Sequence, residues 1–522
     1  MEDWYAEMGR LFARARFREA GAAYDFAIGK GARPSPDAQL LRARIYLKHD
    51  ENKAVAFLIR HESEVPNRLR GLWSLYLGVG FARMRDFQRA DHHFSQADRK
   101  LRDASDRASL TYHMGRRLLL EGRTNEVWQR IEEMSCDRSL GTRIDRELLR
   151  SFTFGHQEQY FDEARSLIAA IASIGEKPEP HLERWFHAVE NLAALGRELD
   201  FEEAASIAQA AVDRKIDWPD DFALQRFQAL KAVGWTKALR GDTLGCFRYL
   251  RMAECVAPSD AFKTIVLLDR ARFARLVGER TWAENEVAMA ESLADDVDWN
   301  ATTGDERVAL LLLAESFAET NREKSRFFLA RYSGLDKIRS PLHLFAFDHR
   351  LEAMAANVSG IVQLESGDPE AEASLRRAWI VFDRIGYNWR AGRSALALYR
   401  ATGKPRWLHL AEDKLESYPR SWLGEELQLA TTGRRYHIAL PPMQGKVFEM
   451  LCRQMSTEEI AKDLKLSPHT VRNHLKAVFR AYGVNNKAAL IAEAARRGAL
   501  PPLGGTRNTP SLRRRARHSH RI

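Results

Sequence analysis

Cysteine is scarce in this chain, with 4 in 522 residues. Cys136, Cys246, Cys255 and Cys452 share no paired spacing, so a disulfide framework is excluded and a reducing compartment is expected. Long apolar runs are missing too. The best, Val308 to Ala314, falls far short of the roughly 18 residues a membrane span needs. Glu2, Asp3 and Glu7 interrupt the N-terminus, which therefore lacks the charged-then-apolar pattern of a signal peptide. A soluble, cytoplasmic protein without membrane contact is the expectation. No phosphate loop is present: Thr402-Gly403-Lys404-Pro405 comes nearest, but Pro405 replaces the required hydroxyl. No alternating strand-helix rhythm of a receiver domain occurs at the N-terminus. His92-His93 point about 100° apart on a helix and read as a surface pair, while His518-x-His520 has no third ligand. No catalytic nucleophile, cofactor site or metal site is expected, and the chain is not read as an enzyme.

What is present begins with length and charge. A chain of 522 residues is too long for one core and implies several domains or a repeat array. The formal net charge is +10, and residues 440–522 hold 16 Lys+Arg against 5 Asp+Glu, or +11. The rest of the chain is therefore close to neutral, at −1. Such a concentration at one end is the footprint of a phosphate-binding module. The last residues, Arg513 to Arg521, are basic and coreless, and are expected to be a disordered tail able to add non-specific phosphate contacts.

Residues 1–430 repeat a helical pattern: a small residue, a large apolar one four later, and another small or apolar one three later. Copies are Ala20-Tyr24-Ala27, Ala54-Leu58-His61, Ala90-Phe94-Ala97 and Ala164-Ile168-Ile171. Further on come Ala204-Ala208-Ala211, Cys246-Leu250-Ala253, Ala283-Val287-Ala290 and Ala371-Leu375-Ala378, with weaker copies near Val127, Ser325 and Leu408. The spacing allows one helix pair per unit, with small residues at the close approach. Leu77, Gly78 and Phe81 occupy matching places on the helix before the Ala90 copy, and Gly241-Asp242 and Gly367-Asp368 supply turns. Trp73, Trp185, Trp235 and Trp379 read as core of such pairs. The pattern resembles degenerate tetratricopeptide repeats, which implies a superhelix whose concave face takes a peptide, protein or small-molecule effector.

Residues 440–500 specify a chemistry. Ser456 and Glu459 form an S-x-x-E capping box, and Ile460, Ala461 and Leu464 give the following helix a buried face. Leu466 falls in a turn, Ser467 caps a second helix, and Pro468 takes its first position. At about 100° per residue, Val471, Leu475, Val478, Phe479 and Tyr482 form one apolar stripe, and His469, Arg472, Asn473, Lys476 and Arg480 fall on the opposite face. A helix with long donors on one face fits the major groove of DNA.

This segment resembles the LuxR-type helix-turn-helix domain of bacterial transcription regulators. Leu440-Pro441-Pro442, Val447, Leu451, Ser456, Glu459-Ile460-Ala461, Leu464, Ser467, Thr470 to His474, Gly483-Val484 and Asn486 carry the resemblance. A fourth helix over Asn486 to Arg497 argues against the fourth region of sigma factors. Three departures stand out: Pro441-Pro442-Met443-Gln444 replaces a capped helix start, Gly445 lies inside the first helix, and Gln454 and Lys465 stand where glycines are usual.

The resemblance, with the helix angles, implies that Arg472, Asn473 and Lys476 read bases. It assigns Ser456, Ser467, Thr470, Arg480 and Lys487 to phosphates. It also implies that the fourth helix, through Ala488, Ala489, Ile491, Ala492 and Ala495, pairs two domains on DNA. The expected protein is all-α, a tetratricopeptide-like superhelix followed by a four-helix LuxR-type domain. Its domains are residues 1–430, a linker at 431–439, the DNA-binding domain at 440–500 and a tail at 501–522. Its expected role is sequence-specific transcriptional regulation on the nucleoid, with double-stranded DNA, an effector at the repeats, RNA polymerase and a second copy as partners. A repeat scaffold with a non-specific nucleic-acid-binding end is the alternative.

Overall fold

Small residues at four- and three-residue intervals let two helices approach closely, and residues 4–415 use this to build antiparallel helix pairs. The computed structural model describes residues 4–496 except 180, 319, 336–348, 432–440, 453–454, 483 and 485. The side chains of Cys136, Pro442, Tyr482 and 492–496 also lie outside that description. The chain divides into two compact units, Met1–Glu425 and Glu426–Ile522. Of the expected linker only Thr431 is described, as the end of a helix; the expected tail, with His518 and His520, and Gln454 lie outside the described residues.

In the first unit α1 (Trp4–Ala13) pairs with α2 (Phe17–Gly29), α3 (Pro36–His49) with α4 (Glu51–Arg60), and α5 (Arg70–Arg83) with α6 (Phe87–Lys100). Then come α7 (Ala104–Leu120) with α8 (Thr124–Glu133), α9 (Leu140–His156) with α10 (Tyr160–Ile174), and α11 (Leu182–Glu198) with α12 (Glu202–Asp213). The series continues with α13 (Ala223–Leu239) and α14 (Thr243–Cys255), α15 (Asp260–Leu276) and α16 (Arg280–Asp295), and α17 (Gly304–Phe317) and α18 (Arg322–Ser333). Last are α19 (His349–Ser366) with α20 (Ala371–Arg384) and α21 (Asn388–Thr402) with α22 (Pro405–Leu415), followed by α23 (Trp422–Thr431), of which Trp422–Glu425 belong to this unit. Among the described residues no strand occurs.

Every copy of the small–large–small pattern lies on the second helix of a pair, except that His61 falls just past the end of α4. Ala90, Phe94 and Ala97 on α6 are at most 1% exposed, and Cys246, Leu250 and Ala253 on α14 are fully buried. The weaker copies fall on α8, α18 and α22. On α22 the buried set is Trp407, Ala411 and Leu415, one residue out of register with Leu408. In the α5–α6 and α19–α20 pairs the large central residue fills a hole left by glycine on the first helix. A Cβ on Gly78 would stand 2.6 Å from the Phe94 ring, and one on Gly360 2.5 Å from Leu375 Cγ. Trp73, Trp185 and Trp235 are buried as expected, while Trp379 is half-buried, edge-on to Trp407 at 5.2 Å. The surface reading of His92-His93 needs correction for one ring: His92 is exposed, but His93 turns inward and stacks on Phe81 at 5.4 Å, because the apolar face of α6 passes beneath it.

First helices also contact the first helices of the next pair, as in α3–α5, α5–α7, α7–α9, α11–α13 and α15–α17. The winding is tight enough for elements about 200 residues apart to meet. Arg16 pairs with Asp217 at 3.2 Å, Arg384 with Glu158 at 2.8 Å and Arg390 with Glu198 at 2.8 Å. Phe17 meets Phe222 at 5.9 Å, and Tyr160 meets Tyr387 at 5.5 Å.

In the second unit α24 (Pro442–Cys452), α25 (Thr457–Leu464), α26 (Pro468–Tyr482) and α27 (Lys487–Arg496) enclose one small core. Val447, Phe448, Ile460, Val471 and Val478 are fully buried in it, and Leu490 joins them from α27. No helix among the described residues is long and apolar enough to cross a membrane.

Candidate nucleic-acid interface

Two capped helices joined by a tight turn fix the geometry of this site. At the start of α25 the Ser456 hydroxyl accepts the Glu459 N–H at 3.2 Å, and the Glu459 carboxylate accepts the Ser456 N–H at 2.7 Å. Hydrogen bonds to the carboxyl from the Ser456 N–H, the larger contribution, and from the Ser456 side chain hold Glu459 below its ordinary range. Helix α25 ends at Lys465, whose φ of 54° is left-handed, a region that costs a side-chain-bearing residue roughly 1–2 kcal/mol. From there the Leu466 N–H returns to the Ala461 carbonyl at 2.9 Å and closes the turn. The next helix begins at Ser467, whose hydroxyl accepts the Thr470 N–H at 3.0 Å and shares a 2.8 Å hydrogen bond with the Thr470 hydroxyl.

Helix α26 is two-faced. Val471, Leu475 and Val478 are buried, and Phe479 packs partly against the same core. His469, Arg472, Asn473, Lys476 and Arg480 are exposed. Tyr482, the last residue of the expected stripe, has its side chain outside the described residues. The exposed set offers guanidinium, amide and ammonium donors in front of a helix held by a buried face. Arg472 Nε donates to the Pro468 carbonyl at 3.3 Å, so this side chain lies along its own helix.

The structure also locates the residues expected at phosphates. Ser456 and Ser467 stand at the starts of α25 and α26, both exposed, and Thr470 is half-buried against Ser467. The Ser456 N–H is engaged by the Glu459 carboxylate. Lys487 is half-buried, and its Nζ donates to the Met455 carbonyl at 3.4 Å. No sequence signal pointed to that bond, since its partners come together only when the four helices close. Asn486 caps α27, its side-chain oxygen accepting the Ala489 N–H at 2.8 Å. Of the residues expected to pair two domains, Ala488 is exposed and Ala489 and Ile491 are half-buried; Ala492 and Ala495 lie on α27, but their side chains are outside the described residues. Burial pushes the Cys452 thiol up to about 11, which makes it inert packing beside the site.

Against known proteins, residues 440–494 match the family described as bacterial regulatory proteins, luxR family. The spore germination protein GerE of Bacillus subtilis is 36% identical over 61 residues, which cover 12% of this chain and 82% of that protein. A Mycobacterium tuberculosis protein named "Putative HTH-type transcriptional regulator" is 34% identical over 89 residues, 17% of this chain. This chain spans about 10% of the length of that relative. Among solved structures, the apo form of the quorum sensor NprR from B. thuringiensis is 12% identical, covering 66% of this chain and 97% of its own, with a TM-score of 0.40.

Proposed function

Because the chain belongs, through residues 440–494, to the luxR family of bacterial regulatory proteins, we propose that it is a DNA-binding transcriptional regulator that reads sequence with α26. The exposed row Arg472, Asn473 and Lys476, opposite the buried Val471, Leu475 and Val478, is the observation that carries this reading. Arginine takes guanine bidentately and Asn takes adenine, so this row suits base-edge readout in the major groove. The exposed hydroxyl-capped starts of α25 and α26 and the Arg480 guanidinium suit phosphates, which position a protein without specifying sequence. Lys487 joins them once it leaves the Met455 carbonyl.

One such module reads few base pairs, so specific affinity calls for two half-sites and a second copy. Ala488 and Ile491 on α27 supply a small-residue face for that pairing, continued by Ala492 and Ala495. The helix pairs of residues 1–425 serve as the effector-responsive part, their inner face taking a peptide, protein or small molecule. The effector binds the repeats and biases DNA binding or RNA polymerase recruitment.

Selection of the chain's preferred sites from randomised duplexes tests the proposal. A recurrent pseudo-palindromic motif is the expected result. Retention that follows ionic strength alone, with no enriched sequence, would instead select a scaffold that binds nucleic acid without specificity.

A further inference from the structure

The seam between α18 and α19 is polar where a helix packed on its neighbour ordinarily presents an apolar stripe. Ser359, Val362, Gln363 and Ser366 recur at helical spacing on α19 and line a cavity of about 220 Å³. Arg326 and Leu329, one turn apart on α18, line it too. Protein interiors are ordinarily close-packed, with few voids larger than a water molecule. This cavity has room for roughly seven waters at about 30 Å³ each, the volume of a small polar molecule.

The polar groups around it are only partly satisfied. The Gln363 side-chain oxygen is buried and has no hydrogen-bond partner. Arg326 Nη2 donates to the Ser366 hydroxyl at 3.2 Å, and that hydroxyl donates to the Val362 carbonyl at 2.9 Å. The turn after α19 sets a carboxylate at the rim, where the Asp368 N–H donates to the Gln363 carbonyl at 2.9 Å. Arg326 and Asp368 are both exposed, and neither is in an ion pair among the described residues. A guanidinium, a carboxylate and a buried acceptor therefore converge on one cavity. Leaving such an acceptor unpaired costs stability, and a ligand that donates to it explains the arrangement.

Resting on the reading that the helix pairs take an effector, we infer that this cavity is a site for a free α-amino acid. The Arg326 guanidinium takes the carboxylate, for which its planar fork is suited. Asp368 and the Gln363 oxygen, both acceptors, take the ammonium. Leu329 and Val362 face the side chain. The volume excludes a nucleotide or a peptide of several residues, since pockets for larger ligands run to about 300–1,000 Å³.

Calorimetric titration and thermal unfolding of the full chain test this with the proteinogenic α-amino acids one at a time. Acetate and methylammonium at matched ionic strength serve as single-charge controls. At least one amino acid should bind saturably and raise Tm, and neither control should. Arg326→Gln, at an exposed position, should weaken that binding about 10- to 100-fold without lowering the ligand-free Tm. Gln363→Leu removes the unpaired acceptor, so it should abolish binding and leave the ligand-free Tm at or above the parent value. A glutamine that only held α18 against α19 would lower it. The inference is overturned if no amino acid binds, if acetate binds as tightly as the amino acid, or if both variants keep the amino-acid response. DNA binding by the same preparation separates the two readings, since intact DNA binding without an amino-acid response removes this site and leaves the regulator standing.

Discussion

Single residues in α24 to α27 divide into those that hold the helices and those that face outward, and substitutions should separate the two. Arg472→Ala should cost about 1–3 kcal/mol on a preferred duplex and relax the preference at one base position. Equal losses on preferred and random duplexes would remove Arg472 from base reading. Lys487→Ala should weaken all sequences alike and reduce the salt slope by about one. Since Lys487 also donates to Met455, a small loss of Tm should accompany it. Gly445 and Lys465 test the fold alone. A Cβ on Gly445 meets nothing within 4 Å, so Gly445→Ala should stabilise α24 by about 0.5–1 kcal/mol. Lys465→Gly should relieve the left-handed strain at the turn, for a net gain of up to about 1 kcal/mol. Urea unfolding of both variants measures this, and a lower midpoint for either would contradict it.

Helix pairs set the next scale, where fit between a large residue and a missing side chain governs stability. Gly360→Ala should destabilise by about 1–3 kcal/mol, because its Cβ would meet both Leu375 Cγ at 2.5 Å and the Leu375 backbone N at 3.0 Å. An unchanged urea midpoint would show that α19 and α20 have room to part. Much of this level was legible in the sequence, because helix pairing imposes a local spacing. Ala90-Phe94-Ala97 marks α6, and its hole at Gly78 was visible as well. Between the helices of a pair, turns were legible only where they used glycine, as at Gly241 and Gly367. Arg85, Glu158 and Asp200 take the same left-handed conformation, at φ of 59°, 59° and 53°, without any sequence signal. The inward turn of His93 was hidden for a related reason, since a neutral imidazole can pack on Phe81 or face water. In the second unit both caps and the apolar face of α26 were readable from Ser456, Ser467 and Val471, whereas the Lys487–Met455 bond, spanning 32 residues, was not.

At the scale of the whole molecule, the contacts between residues about 200 apart left no local pattern, because each needs only two opposite charges that the winding brings together. They carry a pH dependence. Burial works to raise the Glu198 carboxyl, but Arg197 and Arg390 outweigh it and hold it near 2; Lys48 does the same for Glu183. A carboxyl so depressed adds stability that is complete above its unfolded value of about 4.3 and is lost as the pH falls from there toward 2. Tm should therefore decline over that acid window, and Glu198→Gln should remove part of the decline; a flat profile would contradict the account of these bridges.

Above that frame stands the central claim, that the chain regulates by reading sequence with α26. The most direct measurement is selection of bound duplexes from a randomised pool by the full chain and by its Arg472→Ala variant. The account predicts a pseudo-palindromic motif for the parent chain and a specific loss of preference at one position of each half-site for the variant. Pools that remain unenriched, or an identical motif from both proteins, would contradict it.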